Sequence, residues 1–319
     1  MKRTVFLALA LFALMAVGVY AQANWTVVNS TFGTDPIYAI VFGKSNFVAG
    51  GYGGKMATSP DGRTWTAVAD SKFGTDAISA IDYGNNKFVA VGDKGKMATS
   101  PDGVTWTAVA DSPFGTNDIN AIAFNININK FVAVGNNGKM ATSSDGVTWT
   151  AVADSPFGKD PVFAIALSIG KLTFIASPNK VAYSTDNTKW SVVTDSSLKN
   201  LMAIAASYDR EKDNKVVAVG PGGKIVTASV DRNGPVDGTW KAVTPNPFGK
   251  NDINAIAYLS GRFIAGGEGG KMATSSDGVT WTAVADSKFD RNEINAFALG
   301  RGLFVAVGGG GRIVIAPRN

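Results

Sequence analysis

Apolar residues along this chain come in short bursts. Ile119-Asn-Ala-Ile-Ala-Phe124, Lys130-Phe-Val-Ala-Val-Gly135, Gly138-Lys-Met-Ala-Thr142 and Trp149-Thr-Ala-Val152 are each four to six residues long and rich in β-branched or aromatic side chains. Gly, Asn, Asp and Ser turns separate them. The pattern predicts four short strands, and no window shows apolar residues sustained at helical spacing.

The same four bursts return along the chain. Lys139-Met-Ala-Thr-Ser-Ser-Asp-Gly-Val-Thr-Trp149 has near copies at Lys55 to Trp65, Lys96 to Trp106 and Lys271 to Trp281, and degenerate ones at Lys180 to Trp190 and Lys224 to Trp240. The Trp residues at 25, 65, 106, 149, 190, 240 and 281 are spaced 40, 41, 43, 41, 50 and 41 apart. A four-stranded unit at that period predicts an all-β, seven-bladed β-propeller, its blades stacked radially so that neighbours cover both faces of each sheet. Trp25-Thr-Val-Val28 reads as a fourth strand with no partners before it, while the last unit, from Ile294 to Ala316, stops after three. The N-terminal strand is therefore expected to close the last blade and remove two open edges. The units over 162–194 and 202–244 have drifted, the latter with insertions at Ser207 to Lys215 and Val230 to Gly238 that read as surface loops.

Composition adds a destination and removes several chemistries. Lys2-Arg3, an apolar run from Val5 to Val19 and Val19-Tyr20-Ala21 make a signal peptide over 1–21, with cleavage after Ala21. The single propeller domain would occupy 22–319, or 319 − 21 = 298 residues, soluble and exported to the periplasm or the outside. Losing two of the 30 Lys and Arg leaves 28 − 25 = +3, weak for nucleic-acid binding. With no Cys and no His, disulfides, thiolate catalysis, the usual neutral-pH base and the commonest metal ligands are missing, so no cofactor and no metal are expected.

Ser-x-Asp-Gly-x-Thr-Trp, as at Ser59 to Trp65, Ser100 to Trp106, Ser143 to Trp149 and Ser275 to Trp281, resembles the Asp-box of sialidase-type (BNR) propellers in a form shortened by one residue. With Gly-x-x-Gly before the third strand, as at Gly135 to Gly138, the chain looks most like propellers related to photosystem II assembly factors, which bacteria without photosystems also carry. The resemblance covers the whole mature chain. It implies that Asp61 and Trp65, Asp102 and Trp106, Asp145 and Trp149, Asp186 and Trp190, and Asp277 and Trp281 are structural, at the outer edge and far from any active site. The residue chemistry agrees: the carboxylate bonds N–H groups across a tight turn, Gly supplies an unusual backbone angle and Trp fills the space between blades.

Candidate binding residues come from what else repeats. Lys55, Lys96, Lys139, Lys180, Lys224, Lys271 and Arg312 open the third strand of each blade, and Asp35, Asp76, Asp118, Asp160, Asn200, Asp252 and Glu293 precede the innermost one. The topology puts both sets on one face, which predicts an acidic circle near the channel mouth and a basic one outside it. Salt bridging and turn capping compete with a polar binding face as explanations. Phe32, Phe73, Phe114, Phe157, Phe248 and Phe289, with Leu198, read as wedges between blades rather than sugar platforms. Tyr38 and Tyr52 lie on the same face outside the repeat. The Gly-rich turns lack the Lys-Ser/Thr and the helix of a phosphate loop. Asp231-Arg-Asn233-Gly-Pro-Val-Asp237-Gly238 has calcium-like spacing without the terminal Glu, and reads as a turn insertion.

Three functions compete on this sequence. A sialidase-like hydrolase needs an Arg cluster, and the starts of the innermost strands offer only Arg291; a xyloglucanase-like one needs two carboxylates across a cleft. A carbohydrate-binding propeller gains avidity from repeated sites, although every Trp is committed to the turn motif. A monomeric, non-enzymatic envelope scaffold holding a protein partner on one face asks for no missing chemistry and ranks first, ahead of a glycan binder and a hydrolase.

Overall fold

The computed structural model describes residues 24–168, 170–208, 213–236 and 238–318; the predicted leader over 1–21, part of the insertion at 207–215 and Asp237 lie outside the described residues. Seven antiparallel sheets of four strands form a ring. The first strands, Ile37–Gly43, Ile78–Gly84, Ile119–Asn125, Ala164–Leu167, Ala203–Ala206, Ile253–Leu259 and Ile294–Gly300, define blades 1 to 7 and line the channel. In blade 3 the sequence continues outward through Lys130–Gly135, Met140–Ser143 and a fourth strand of only two residues, Thr150–Ala151. No helix among the described residues is long and apolar enough to cross a membrane.

The ring closes as the Trp count predicts. Thr26–Val28 pairs antiparallel with Ile313–Pro317, Thr26 opposite Ile315 and Val28 opposite Ile313, and completes blade 7. Trp25 is 4% exposed beside Phe304 and Val314, and Ser30 Oγ donates to the Gly311 carbonyl at 2.5 Å.

What holds one blade to the next is an apolar cluster at each seam, filled from both sides. Phe73 and Trp106 of blade 2 pack with Val48 and Met56 of blade 1. Phe114 and Trp149 of blade 3 pack with Val89 and Val91 of blade 2. Every seam has its own Phe or Leu: Phe32, Phe157, Leu198, Phe248 and Phe289 occupy the others, and all seven are 0–1% exposed. These rings are wedges, and their burial removes them as sugar platforms. Hiding each is worth about 1.5–3 kcal/mol.

Glycine is required where hairpins meet the following connection. Gly54, in the turn before the third strand of blade 1, has φ 69°, and a Cβ there would stand 2.3 Å from the Gly74 carbonyl oxygen at the entry to blade 2. Gly311 of blade 7 makes the same approach to the Gly33 oxygen at the entry to blade 1. The Gly-x-x-Gly repeat is thus a blade-to-blade contact.

Candidate functional site

Two ends of the ring differ in chemistry. One carries the turns before the third strands and the connections between blades; the other carries the hairpins between first and second strands and the Ser-x-Asp-Gly turns.

The Ser-x-Asp-Gly turns are closed upon themselves. Asp61 Oδ1 accepts the N–H groups of Arg63 and Thr64 at 2.8 Å each and the Ser59 hydroxyl at 3.0 Å, while Ser59 Oγ accepts from Gly62 N. Asp102, Asp145, Asp186 and Asp277 repeat the arrangement. Burial pushes the Asp145 carboxyl up, but the Thr148 and Val147 N–H groups outweigh it and hold its pKa at about 2; Asp186 behaves the same way. The indole N–H groups of Trp65, Trp106, Trp149 and Trp281 donate to the turn glycine carbonyl. Those of Trp25, Trp190 and Trp240 have no such partner: no Ser-x-Asp-Gly sequence precedes Trp25, Asn187 replaces the glycine before Trp190, and an insertion replaces the turn before Trp240. In that insertion Asp231 accepts from Asn233 N and Gly234 N, a tight turn.

At the other end, the third-strand cations reach inward to the connection of their own blade. Lys55, Lys96, Lys139 and Lys271 donate to the carbonyls of Phe32, Phe73, Phe114 and Phe248, the wedge residues themselves. The acidic residues do not form one circle, and the reason is their register. Asp35, Asp76 and Asp160, two residues before the recurring Ile or Val, turn outward to Lys55 at 2.7 Å, Lys96 at 2.8 Å and Lys180 at 3.3 Å. Asp118 and Asp252, one residue before it, accept backbone N–H groups from the preceding blade's turn, Lys94 at 2.9 Å and Gly222 at 2.8 Å. Glu293 shares that register and lies against Gly309. Arg312 pairs with Asp290, one blade's variant of the same contact.

Blade 5 breaks the pattern. Lys199 stands at the register where blades 1, 2 and 4 place the carboxylate that meets the third-strand lysine, and Lys224 Nζ donates to the Lys199 carbonyl at 2.5 Å. Burial, then the neighbouring Lys199 charge, lowers the Lys224 pKa. Among the described residues Lys224 has no acidic partner. The connections also change character around the ring: Thr34, Thr75 and Thr116 in blades 1 to 3 give way to Lys159, Lys250 and Arg291 in blades 4, 6 and 7, and the shorter connection of blade 5 carries Lys199, all exposed.

The channel mouth is asymmetric in the same direction. In blades 1, 2, 3, 6 and 7 the ladder slips by one residue at the head of the first strand, and this bulge aims Tyr38, Ser79, Asn120, Asn254 and Asn295 off the sheet. Asn120 Nδ2 donates to the Val162 carbonyl of the next blade at 2.9 Å, and Asn295 Nδ2 to that of Ile37 at 3.1 Å. Blades 4 and 5 present Phe163 and Met202 instead, 37% and 38% exposed. Both line a cavity of about 310 Å³ with Asn254, Asn295 and the inner-strand Ala and Ile residues. Tyr38 is half-buried across the mouth; burial, then Glu293 and Asp93, raises its phenol pKa. Tyr52 is 56% exposed on the turn beside it. No cluster of three acidic side chains placed to hold a metal occurs among the described residues.

Sequence reasoning reached Tyr38, Tyr52 and the cation ring but missed Phe163, Met202, Lys159, Lys199 and Lys250. Their signal was available as departures from the repeat: Lys159 and Lys250 replace Thr, Lys199 replaces Asp or Asn, and Phe163 and Met202 stand where most blades have Asn or Ser, and a periodic reading weights what recurs.

No known family profile matches this chain, and no curated protein matches it by sequence. By structure it is similar to YCF48 from Cyanidioschyzon merolae, at 18% identity over 92% of this chain and 98% of that one, with a TM-score of 0.71. A YCF48 bound to D1 peptide is similar at 16% identity, 92% and 95% coverage and a TM-score of 0.71. A catalytically inactive virginiamycin B lyase from Staphylococcus aureus with quinupristin is similar at 10% identity, 93% and 99% coverage and a TM-score of 0.73. At these identities the likeness establishes a fold shared across the full ring, a seven-bladed propeller, and leaves the ligand to be argued from the residues at the mouth.

Proposed function

We propose that this chain is an exported, non-enzymatic propeller whose mature domain, 22–319, binds a segment of a protein partner in the cell envelope. The partner sits over the mouth at blades 4 and 5. The observation that carries the reading is the pair Phe163 and Met202: two exposed apolar side chains at positions where other blades place polar residues, in two cases amides bonded across the seam. Around them stand Lys159, Lys199 and Lys224, the last bonded to the Lys199 carbonyl where blades 1, 2 and 4 pair the same cation with a carboxylate. An apolar notch rimmed by unneutralised cations suits an extended polypeptide with an apolar side chain and nearby negative charge.

The similarity to a YCF48 with a peptide bound supports a peptide ligand on this architecture. The resemblance of the Ser-x-Asp-Gly turns to Asp-boxes and their self-satisfied hydrogen bonds support a role in the scaffold. The lyase among the similar structures is an inactive form in which a histidine has been replaced by alanine, and this chain contains no His, which supports a binding role over that chemistry.

A photo-crosslinking residue at 163 or 202, expressed in the native host, tests the proposal. Crosslinks to a defined polypeptide are expected there and not at the outer-rim position 104. Phe163→Asn with Met202→Asn should abolish capture with the fold intact, and charge reversal at Lys199 should weaken it. Reversal at Lys96 and Lys139 tests whether the rest of the face takes part. Capture indifferent to 163 and 202 would overturn the assignment of the notch, and a glycan-array signal competed by free sugar, with no polypeptide crosslinked, would replace it with a lectin.

A further inference from the structure

The end of the ring opposite the channel mouth carries a second set of cations, in the hairpins between first and second strands. Over the contiguous arc from blade 7 through blades 1 to 4 these are Arg301, Lys44, Lys87, Lys130 and Lys171. The hairpins that hold them, at 300–303, 43–46, 84–87, 125–130 and 168–172, contain no Asp or Glu. Where their heads find partners these are neutral: Lys44 Nζ donates to the Pro101 carbonyl at 2.9 Å and Arg301 to that of Ser45 at 3.2 Å. Carbonyl contacts to the next blade fix the position of the head without a direct ion pair.

Apolar side chains protrude from the same surface. Ile126, at the tip of the blade 3 hairpin and midway between Lys87 and Lys171 along the arc, is 79% exposed, the most exposed large apolar residue among those described. Tyr208, beside the arc on blade 5, is 55% exposed, with its ring edge-on to Tyr258 at 5.1 Å. The hairpin around Ile126 is held rather than loose: Asn125 Nδ2 donates to the Lys171 carbonyl at 3.0 Å and to Thr173 Oγ1 at 3.1 Å, and Asn127 Nδ2 to that of Gly170. A fixed hairpin therefore presents isoleucine outward. The turn aspartates on this end stand farther out, each already accepting two backbone N–H groups, and the nearby Lys44 charge helps keep Asp102 ionised.

We infer that this end docks on the headgroup plane of an anionic lipid bilayer, with the basic arc on the phosphates and Ile126 entering the interface. A ring end is a flat array, which matches a plane of charges. Clustered Lys and Arg beside a bilayer are attracted by its surface potential, and an apolar side chain among them gains by leaving water. A soluble polyanion would use the cations and have no use for the isoleucine. The arrangement leaves the channel mouth facing away from the lipid.

The test is co-sedimentation of the purified protein with vesicles. Binding is expected to vesicles of phosphatidylglycerol and phosphatidylcholine, to fall steeply with salt, and to be absent from phosphatidylcholine alone. Lys130→Glu with Lys171→Glu should weaken it by about tenfold or more, since each cation near such a surface counts for roughly a fivefold factor. Ile126→Ser should weaken vesicle binding several-fold and leave binding to heparin unchanged. Thermal melting of each variant reports on folding, and these exposed sites should leave it unmoved. Equal binding to neutral vesicles, no binding to anionic ones, or vesicle binding indifferent to Ile126→Ser would overturn the inference.

Discussion

The side-chain amide of Asn295 donates to the carbonyl of Ile37 at 3.1 Å, tying the last blade to the first across 258 residues of sequence. It lies at the channel end of the same seam that Phe32 and Trp65 fill from the outside. One seam over, the N-terminal strand supplies the fourth strand of blade 7, so ring closure depends on contacts made at both ends of the chain.

Trp25 is the test of that closure. Trp25→Ala should destabilise the protein by about 3–5 kcal/mol in equilibrium urea unfolding, because a buried ring is lost from the seam between blades 6 and 7. Val27→Ala, at a 47% exposed position on the same strand, should cost less than about 0.5 kcal/mol. Equal effects would mean that the strand does not close the ring in solution.

Two aspartates give opposite pH signatures. Asp145 has a folded pKa of about 2, below the ordinary carboxylate value of about 4, so its contribution is complete above about pH 4 and is lost as pH falls toward 2. Asp82 is half-buried with its carboxylate against blade 3, and burial raises it to about 6 against the pull of the Tyr83 and Phe124 N–H groups. Its folded form holds the proton more tightly than the unfolded chain does, so it costs stability as pH rises from about 4 through 6. Melting temperatures from about pH 2 to 8 should show that Asp82→Asn flattens the neutral-side decline, and that Asp145→Asn softens the acid-side loss in proportion to one turn among several.

Adjacent glycines separate backbone strain from steric conflict. Gly53 has φ 64° with nothing near its absent Cβ, and Lys94 and Asn137 occupy its position in blades 2 and 3 at φ 55° and 56°. Gly53→Ala should cost about 1–2 kcal/mol. Gly54→Ala adds the 2.3 Å approach to the Gly74 oxygen and should cost about 3 kcal/mol or more by thermal or urea unfolding. Comparable losses would show that the contact between blades relaxes at little cost.

The fold was readable because its determinants repeat. A Trp every forty-odd residues, a wedge Phe before each connection and an orphan strand at Trp25 specify the ring, the seams and the closure, and each is a packing requirement that sequence shows directly. The faces were readable too, since alternate connections of a meander fall at opposite ends. The division of the acidic positions was harder. Asp76 and Asp118 differ by one residue in register, and that single step turns a carboxylate from a third-strand lysine to the N–H of a neighbouring blade. Phe163 and Met202 were harder still, because their meaning lies in the bonds that Asn120 and Asn295 make and they do not.

The bulge at the head of the inner strands has a consequence for redesign. The residue it carries stands off the ladder in five blades, and Phe163 and Met202 hold the matching place in blades 4 and 5, so positions 38, 79, 120, 163, 202, 254 and 295 form a seven-letter alphabet written around one opening. A combinatorial library at 38, 79, 163, 202 and 254 would vary recognition while leaving each wedge and the seam amides of Asn120 and Asn295 in place, and the two drifted blades already spell a word different from their neighbours.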